Sequence, residues 1–370
     1  MEAEDERQHD ELYNAHQFDD FRPLSSSPEG CVILERARLI FEKHGYRGKA
    51  ISSLSEKLTL KGRLHDGCTY YNHREKVQGP PASPRDALFR LFLLGHALPK
   101  ELLSSILASD EIGTLYECSL LADSKLSSRD VLAPFQLFPV DSSYFFPEGN
   151  CGPSCTVLIA TDWPVESLVP TREAVMAVGC DTLELVTVTS HDIQAQLAQK
   201  QTKSEINVLD LCCGSGAQGI CYYKFLSGGG AVAKAAAKVN LTLVDCNPRA
   251  LQLCELNLSL NGVLNASTVL SNFYANVGVA KFDRIITNPP FVATPTPITF
   301  SDGASADVAA APLFAVAGND GNDALRNILL PLNERLAEGG RLYMVTEVRI
   351  TQPTICSFTV TRCVRRNTNI

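Results

Sequence analysis

The chain has 370 residues, 45% of them hydrophobic, and a formal charge of −8, which is length enough for two domains of ordinary size. No apolar run is long enough to span a bilayer. The acidic start, MEAEDERQHDE, carries the wrong charge for a secretory or organellar leader, so the expected compartment is the cytoplasm, with the nucleus as the alternative.

The charge is unevenly distributed. Residues 1–30 hold nine acids against two bases and end in a Ser/Pro cluster, LSSSPEG. They have too little apolar surface to offset the entropy of ordering, so a disordered acidic tail is expected there. Residues 31–100 hold thirteen Lys and Arg against six acids. Such a basic stretch suits a polyanion-binding surface, with Lys57, Lys61 and Arg63 as candidate contacts. The plainer reading is a solvated helix surface.

Helical periodicity begins at Val32–Lys43, with Ile33, Ala37, Ile40 and Phe41 on one face. Ala50–Leu58 follows after a His44-Gly45-Tyr46 stop. Ser83-Pro84 then supplies an N-cap and a first-turn proline for a helix through Leu94, and Pro99 opens another through Ile106. The pattern next changes to two strands, Phe135–Tyr144 and Cys155–Trp163. Helices followed by a β-ribbon predict a smaller helical, winged-helix-like α+β domain over residues 31–165, serving substrate recognition. Residues 166–203 are expected to form a connector, ending in a polar helix over 192–203.

From Ile206 onward strands and helices alternate. The predicted strands are Ile206–Leu211, Leu241–Asp245, Ser267–Ser271, Phe282–Thr287 and Gly340–Val345. The helices between them are about Ala217–Phe225, Pro248–Leu260 and Asp323–Leu336, with an insertion around Ser227–Gly230. This alternation implies an α/β doubly wound sheet over 204–370, with a ligand at the carboxyl ends of the strands. Only one convincing strand, Ile355–Val364, follows Val345, so the C-terminal strands are expected to be incomplete. The thirteen cysteines include no CxxC pair. Cys151 and Cys155 are four apart without a second ligand pair, so no metal site is expected.

Three motifs carry chemistry. DLCCGSGAQG, Asp210 to Gly219, follows a strand and opens a helix. Gly214 and Gly216 would let the backbone turn tightly and approach a ligand. A glycine-rich turn without a ligand is the bland alternative. LTLVDCNPRA, Leu241 to Ala250, ends a strand in Asp245, placed to accept from both ribose hydroxyls of a nucleoside cofactor. Asn247 and Pro248 would start the next helix, and a simple capping acid is the plainer role for Asp245. FDRIITNPPFVATP, Phe282 to Pro295, contains the most specific signal, NPPF. Its two prolines, Pro289 and Pro290, make a rigid turn without donors. The Asn288 side-chain oxygen and the Pro289 carbonyl then offer two acceptors to an –NH₂ group on a planar system. Phe291 offers a stacking face.

Together these motifs resemble the small-domain group of class I methyltransferases, which have a Rossmann-like sheet and modify planar nitrogens. That group includes RNA and DNA base N-methyltransferases and release-factor glutamine methyltransferases. The resemblance covers about Ile206–Val348. Phe314–Leu329 (FAVAGNDGNDALRNIL) is similar to the segment that follows NPP in the glutamine enzymes, and residues 31–348 resemble bacterial methyltransferases with an N-terminal helical domain. The resemblance implies S-adenosyl-L-methionine as cofactor. It implies that Asp210, Gly214 and Gly216 line the methionine side, that Asp245 binds the ribose, and that Asn288, Pro289, Pro290 and Phe291 hold the target nitrogen. Asn272 falls where the family often has an acid that touches adenine. Cys212 replaces the first glycine of the usual run, a substitution expected to be tolerated.

The reaction so implied is in-line transfer of a methyl group to a nitrogen held about 3 Å away, without a dedicated general base. The expected acceptor is an exocyclic amine of an RNA base. A protein glutamine is the alternative, and a catalytically inactive cofactor-binding module is the third reading.

Overall fold

A computed structural model describes residues 27–60, 65–146, 155–164, 173–198, 203–227, 238–293, 312–346 and 364–365. The acidic segment before residue 27, Lys61, Arg63, Cys151, the Ser-Gly insertion at 228–230 and most of the expected strand Ile355–Val364 lie outside them. The chain divides into two compact units.

Unit 1 comprises Met1–Val169, Met176–Cys180 and Glu255–Leu264. Its helices are α1 (Pro28–Lys43), α2 (Gly48–Lys57), α3 (Gly67–Asn72), α4 (Pro84–Phe92), α5 (Lys100–Ile106) and α6 (Ser109–Glu117). Helix α1 starts earlier than the sequence pattern suggested. Ser27 accepts from the Gly30 N–H at 3.0 Å and Pro28 occupies the first turn, so residues 28–30 belong to the helix rather than to a tail. The signal was the Ser-Pro-Glu run, a cap followed by a first-turn proline and acid. Ser83 caps α4 in the same way. Lys57, one of the candidate polyanion contacts, stands 3.8 Å from Asp86.

Three short strands, β1 (Leu98–Pro99), β2 (Ala122–Asp123) and β3 (Asp130–Leu132), form one antiparallel sheet in the order β1-β3-β2. Strands β4 (Gln136–Asp141) and β5 (Thr156–Thr161) form the expected ribbon. One edge of β5 is closed by two side chains. Asn257 accepts from the Ala160 N–H and donates to its carbonyl, and Asn261 does the same at Leu158, all at 2.7–2.9 Å. The amides thereby substitute for a missing strand, which an exposed ribbon edge otherwise lacks. Phe41, Tyr46, Tyr70, Tyr71, Phe92, Phe138 and Trp163 fill the unit's interior.

Unit 2 comprises Pro170–Val175, Asp181–Cys254 and Asn265–Ile370. Its strands are β6 (Glu205–Leu211), β7 (Lys238–Asp245), β8 (Ala266–Leu270), β9 (Phe282–Thr287), β10 (Leu336–Met344) and β11 (Val364–Arg365). They form one sheet in the order β11-β10-β9-β6-β7-β8. The first five in chain order run parallel and β11 is antiparallel to β10. This is a Rossmann-like doubly wound sheet, and its strand order reverses between β6 and β9. The crevice outside the carboxyl ends at such a reversal is where ligands bind in open α/β sheets. Helices α7 (Cys180–Ala198), α8 (Ala217–Ser227), α9 (Pro248–Leu260), α10 (Asp323–Leu329) and α11 (Leu332–Arg335) complete the described elements.

Two boundaries differ from the sequence pattern. Helix α7 begins at Cys180, twelve residues before the polar helix expected at 192. Its first half, TLELVTVTS, is rich in β-branched residues, and only Glu184 of it is exposed, while Leu185, Val186, Thr189 and Ser190 are all buried. Thr189 and Ser190 satisfy their hydroxyls by donating to the Leu185 and Val186 carbonyls, so tertiary burial overrides propensity. The helix expected over Asp323–Leu336 is split into α10 and α11 around Pro331, which cannot donate within a helix.

Candidate active site

The three motif-bearing loops leave the same end of adjacent strands. Leu211 at the end of β6 pairs with Thr287 at the end of β9 and with Val244 beside Asp245 on β7. Parallel register therefore brings Cys212–Gly216, Asp245–Asn247 and Asn288–Phe291 to one crevice, although they are separated in sequence.

The first loop is wound tightly by three left-handed residues, Cys212 (φ 58°), Gly214 (φ 53°) and Gly216 (φ 78°). Cys212 therefore carries backbone strain that a glycine would avoid, where the sequence suggested only that a small side chain is tolerated. The two glycines have different reasons. A Cβ on Gly214 would meet nothing nearer than Val175 Cγ1 at 4.0 Å, which leaves open space for a ligand. A Cβ on Gly216 would lie 3.1 Å from Cys254 Sγ and 3.2 Å from Ile220 Cδ1. Gly216 thus also packs the loop closely on the core, a reason that the motif did not imply.

Asp210 is completely buried. Its Oδ2 accepts from the Gly219 N–H at 2.8 Å, and its Oδ1 is buried without a hydrogen-bond partner among the described residues. Burial pushes its carboxyl well above the usual carboxylate range, the nearby Asp245 adds to that, and the Gly219 bond opposes it. Asp210 braces the loop from beneath. Gly219 is part of that brace, because a Cβ there would come within 2.9 Å of the Asp210 carboxyl.

Asp245 is half-buried at the end of β7. Its Oδ2 accepts from the Gly214 N–H at 2.8 Å and its Oδ1 from the Asn247 N–H at 2.9 Å. Two oxygens offer about four lone-pair sites, more than these backbone donors use, so the carboxylate can still accept from a ligand hydroxyl. Burial raises its pKa, and the backbone donors Asn247 and Gly214 oppose the rise. Asn247 caps α9 by accepting from the Arg249 N–H at 3.0 Å, as its position before Pro248 predicted. Cys254, on α9, donates to the Gly214 carbonyl at 3.1 Å. Asn272 is exposed in the turn after β8, beside Phe273, which takes a left-handed φ of 48°.

In the third loop Pro289 is buried, and Asn288, Pro290 and Phe291 are partly exposed. Asn288 Nδ2 donates to Asp181 Oδ2 at 2.8 Å. A carboxylate can only accept, so this bond fixes which way the carboxamide faces and leaves Asn288 Oδ1 as an acceptor without a partner among the described residues. Asp181 gave no local signal in the sequence, lying 107 residues from its partner. The segment after Phe291 is held by a short parallel bridge. The Val292 N–H donates to the Ala315 carbonyl and the Ala317 N–H to the Val292 carbonyl, both at 2.9 Å. The FAVAGNDG stretch thus lies alongside NPPF. Gly321 (φ 76°) permits this, since a Cβ there would fall 2.9 Å from the Phe291 carbonyl oxygen.

A cavity of about 210 Å³ in unit 2, lined by Asp192, Lys203, Asp283, Arg284 and Arg341, contains none of the candidate site residues Asp210, Cys212, Gly214, Gly216, Asp245, Asn272 or Asn288–Phe291. Among the described residues no group of His, Cys, Asp or Glu could hold a metal ion, and no helix is long and apolar enough to cross a membrane.

Comparison with known proteins bears on the same region. Residues 189–300 match the family model "Methyltransferase small domain". The chain is 29% identical over 177 residues to a release factor glutamine methyltransferase of Leptospira interrogans, covering 47% of this chain and 55% of the relative. It is 33% identical over 132 residues to a ribosomal RNA small subunit methyltransferase C of Shewanella piezotolerans, covering 33% of this chain and 34% of the relative. The chain therefore spans about half or less of these curated relatives. Among solved structures, the T. thermophilus 16S rRNA N2 G1207 methyltransferase in complex with AdoMet and guanosine is 17% identical, with a TM-score of 0.34, covering 68% of this chain and 55% of that one.

Proposed function

We propose, from the match of residues 189–300 to the methyltransferase small-domain model, that this chain is an S-adenosyl-L-methionine-dependent N-methyltransferase acting on an exocyclic amine of an RNA base. The observation that carries the reading is the convergence of the Cys212–Gly216 loop, Asp245 and NPPF at the carboxyl ends of three adjacent parallel strands. The residues fit the cofactor: Gly214 borders open space and the Asp245 carboxylate keeps spare lone pairs at a strand end.

S-adenosylmethionine, when bound, supplies an already electrophilic methyl group. The protein's own work is then positioning. Gly214 gives the cofactor backbone access, Asp245 accepts from its ribose, and Asp210 with Gly219 keeps the loop in shape. Asn288 Oδ1 and the Pro289 carbonyl accept from the target –NH₂, holding its lone pair in line and stabilising the positive charge that develops on it. Phe291 offers the base a face to stack on. Transfer in this way requires no dedicated general base, and the released proton goes to water.

The RNA acceptor is supported by the basic balance of residues 31–100 and by the likeness to ribosomal RNA methyltransferases. A protein glutamine acceptor is the second reading. It is favoured by the pairing of Val292 with Val316, which sets the FAVAGNDG stretch against NPPF, and by the longer alignment with the release factor enzyme.

The test is transfer of a tritiated methyl group to total RNA and to total protein, with the label then localised. Label on an RNA base amine is expected. Asn288→Ala should lower turnover by roughly 10²–10³-fold while leaving cofactor affinity near native, because its contact strengthens only as charge develops. Near-native turnover by a folded Asn288→Ala protein would remove the mechanism. RNA binding should also weaken steeply as salt rises, since phosphate contacts release counterions. Salt-independent binding, with label on protein, would establish the glutamine reading instead.

A further inference from the structure

We infer that Asp181 is a positioning residue for methyl transfer, setting both the direction and the acceptor strength of the Asn288 carboxamide. The inference rests on the N-methyltransferase reading above, and no sequence motif points to this residue.

The geometry is specific on both sides. Asp181 is the second residue of α7, and its two carboxylate oxygens have separate tasks. Oδ1 accepts from the Thr182 N–H at 2.8 Å, and Oδ2 accepts from Asn288 Nδ2 at 2.8 Å. Thr182 N–H is one of the donors that a helix leaves unpaired in its first turn, so the carboxylate is held by its own helix while it holds Asn288. The remaining freedom of a carboxamide is a 180° flip, which would exchange acceptor for donor. A flip here would set Asn288 Oδ1 against the Asp181 carboxylate, oxygen against oxygen. The bond therefore selects the orientation in which Oδ1, an acceptor, is left to the acceptor amine.

The same bond acts on electron distribution. A carboxylate accepting from an amide N–H polarises that amide and places more negative charge on its oxygen, as in any chain of hydrogen bonds in a low-dielectric setting. A stronger acceptor gains more from the N–H of a nitrogen that becomes positively charged during transfer than from the neutral amine. The contribution of Asp181 should therefore fall on turnover rather than on binding.

Helix α7 is itself secured. Further along it, Asp192 is buried and accepts from Arg284 on β9, from Arg341 on β10 and from Tyr222 on α8. Arg284 lies on the strand that ends at Asn288. The helix that carries Asp181 and the strand that presents Asn288 are thus tied at a second point, which limits drift of the Asp181 carboxyl group relative to the Asn288 carboxamide.

The experiment uses the full chain, tritiated S-adenosylmethionine and total RNA, with cofactor affinity by calorimetry and thermal midpoint on the same preparations. Asp181→Ala should lower turnover roughly 10–100-fold, the scale of a misplaced reacting group, with cofactor affinity and apparent RNA Michaelis constant near native. Asp181→Asn, whose single neutral oxygen can accept from Asn288 only by giving up the Thr182 N–H, should recover part of the lost turnover. In an Asn288→Ala background, Asp181→Ala should have no further effect on turnover. Asp181→Ser, which can still accept from Thr182 but is too short for Asn288, should behave as Asp181→Ala and replaces it if that variant does not fold. Native turnover in Asp181→Ala or Asp181→Ser overturns the inference and leaves the methyltransferase reading intact. A multiplicative loss in the double variant, or parallel loss of turnover, affinity and thermal midpoint, also overturns it by showing a structural role. A wild-type chain that transfers no methyl group to RNA or protein overturns both.

Discussion

Two aspartates of unit 2, both almost fully withdrawn from solvent, show how differently one residue type behaves at two places in the same sheet. Asp192 receives hydrogen bonds from Arg284, Arg341, Tyr222 and Gln196. Burial would raise its pKa, but the charges of Arg284 and Arg341 and the hydrogen bonds from Arg284 and Tyr343 outweigh it, and the carboxyl sits below the usual range. Asp210 has, among the described residues, one backbone donor and no cation, and burial drives its carboxyl well above that range. Burial alone therefore does not say what a carboxyl group will do; its partners decide. The well-paired cluster lies away from the motif-bearing loops and secures the scaffold. The under-paired one lies beneath the candidate cofactor loop, where structure is commonly sacrificed for function.

The largest effect is expected at the paired site. Asp192→Ala leaves two guanidinium groups facing each other with their shared partner removed, and Arg284 has little exposure. Loss of one member of a buried ion pair costs about 3–5 kcal/mol, to be read from urea unfolding. A loss below about 1 kcal/mol would mean that solvent reaches the cluster, and the contrast with Asp210 would collapse.

Gly219→Ala tests the brace under the loop. In an unobstructed helix this change would stabilise by about 1 kcal/mol. Here the new methyl group meets the Asp210 carboxyl at 2.9 Å and Leu241 Cδ1 at 3.0 Å, and overpacking costs about 1–3 kcal/mol. A net destabilisation, with weakened S-adenosylmethionine binding, is expected. A stabilised protein with native affinity would show that the Asp210 seat is not tight.

The smallest effect is expected at Asp210 and depends on pH. Because its folded pKa is raised, the unfolded chain releases this proton first as pH increases. The group's contribution to stability is full below the unfolded carboxylate value and declines as pH rises toward the folded value. Asp210→Asn can still accept from the Gly219 N–H and does not titrate. The variant should gain in thermal midpoint relative to wild type as pH increases from about 4 toward neutrality. Asp192 has the opposite sign, since its lowered pKa gives stability that is lost as pH falls. An Asp210→Asn difference that does not vary with pH would show that Asp210 keeps its ordinary ionisation in the folded state.

Local periodicity and punctuation were enough to read the parallel strands, the helix starts at Ser83-Pro84 and Asn247-Pro248, and the three loops expected to meet. These are short-range properties: an apolar strand, a glycine turn or a capping residue is specified by its neighbours in the chain. The α7 start at Cys180 was not legible, because a run rich in β-branched residues becomes helical only when the rest of the unit buries most of it. The separate reasons for Gly214 and Gly216 were not legible either. One borders open space and the other packs against Cys254 and Ile220, yet both read as the same motif letter. Asp181 illustrates the limit most clearly. Its sequence context is an ordinary helix start, and its importance arises only when α7 is laid beside the end of β9. Which strands stand side by side, which amide is turned which way and which buried acid finds a cation are decided by long-range packing, because each depends on atoms that the chain brings together from far apart in sequence, as Asp192 and Arg284 are at a separation of 92.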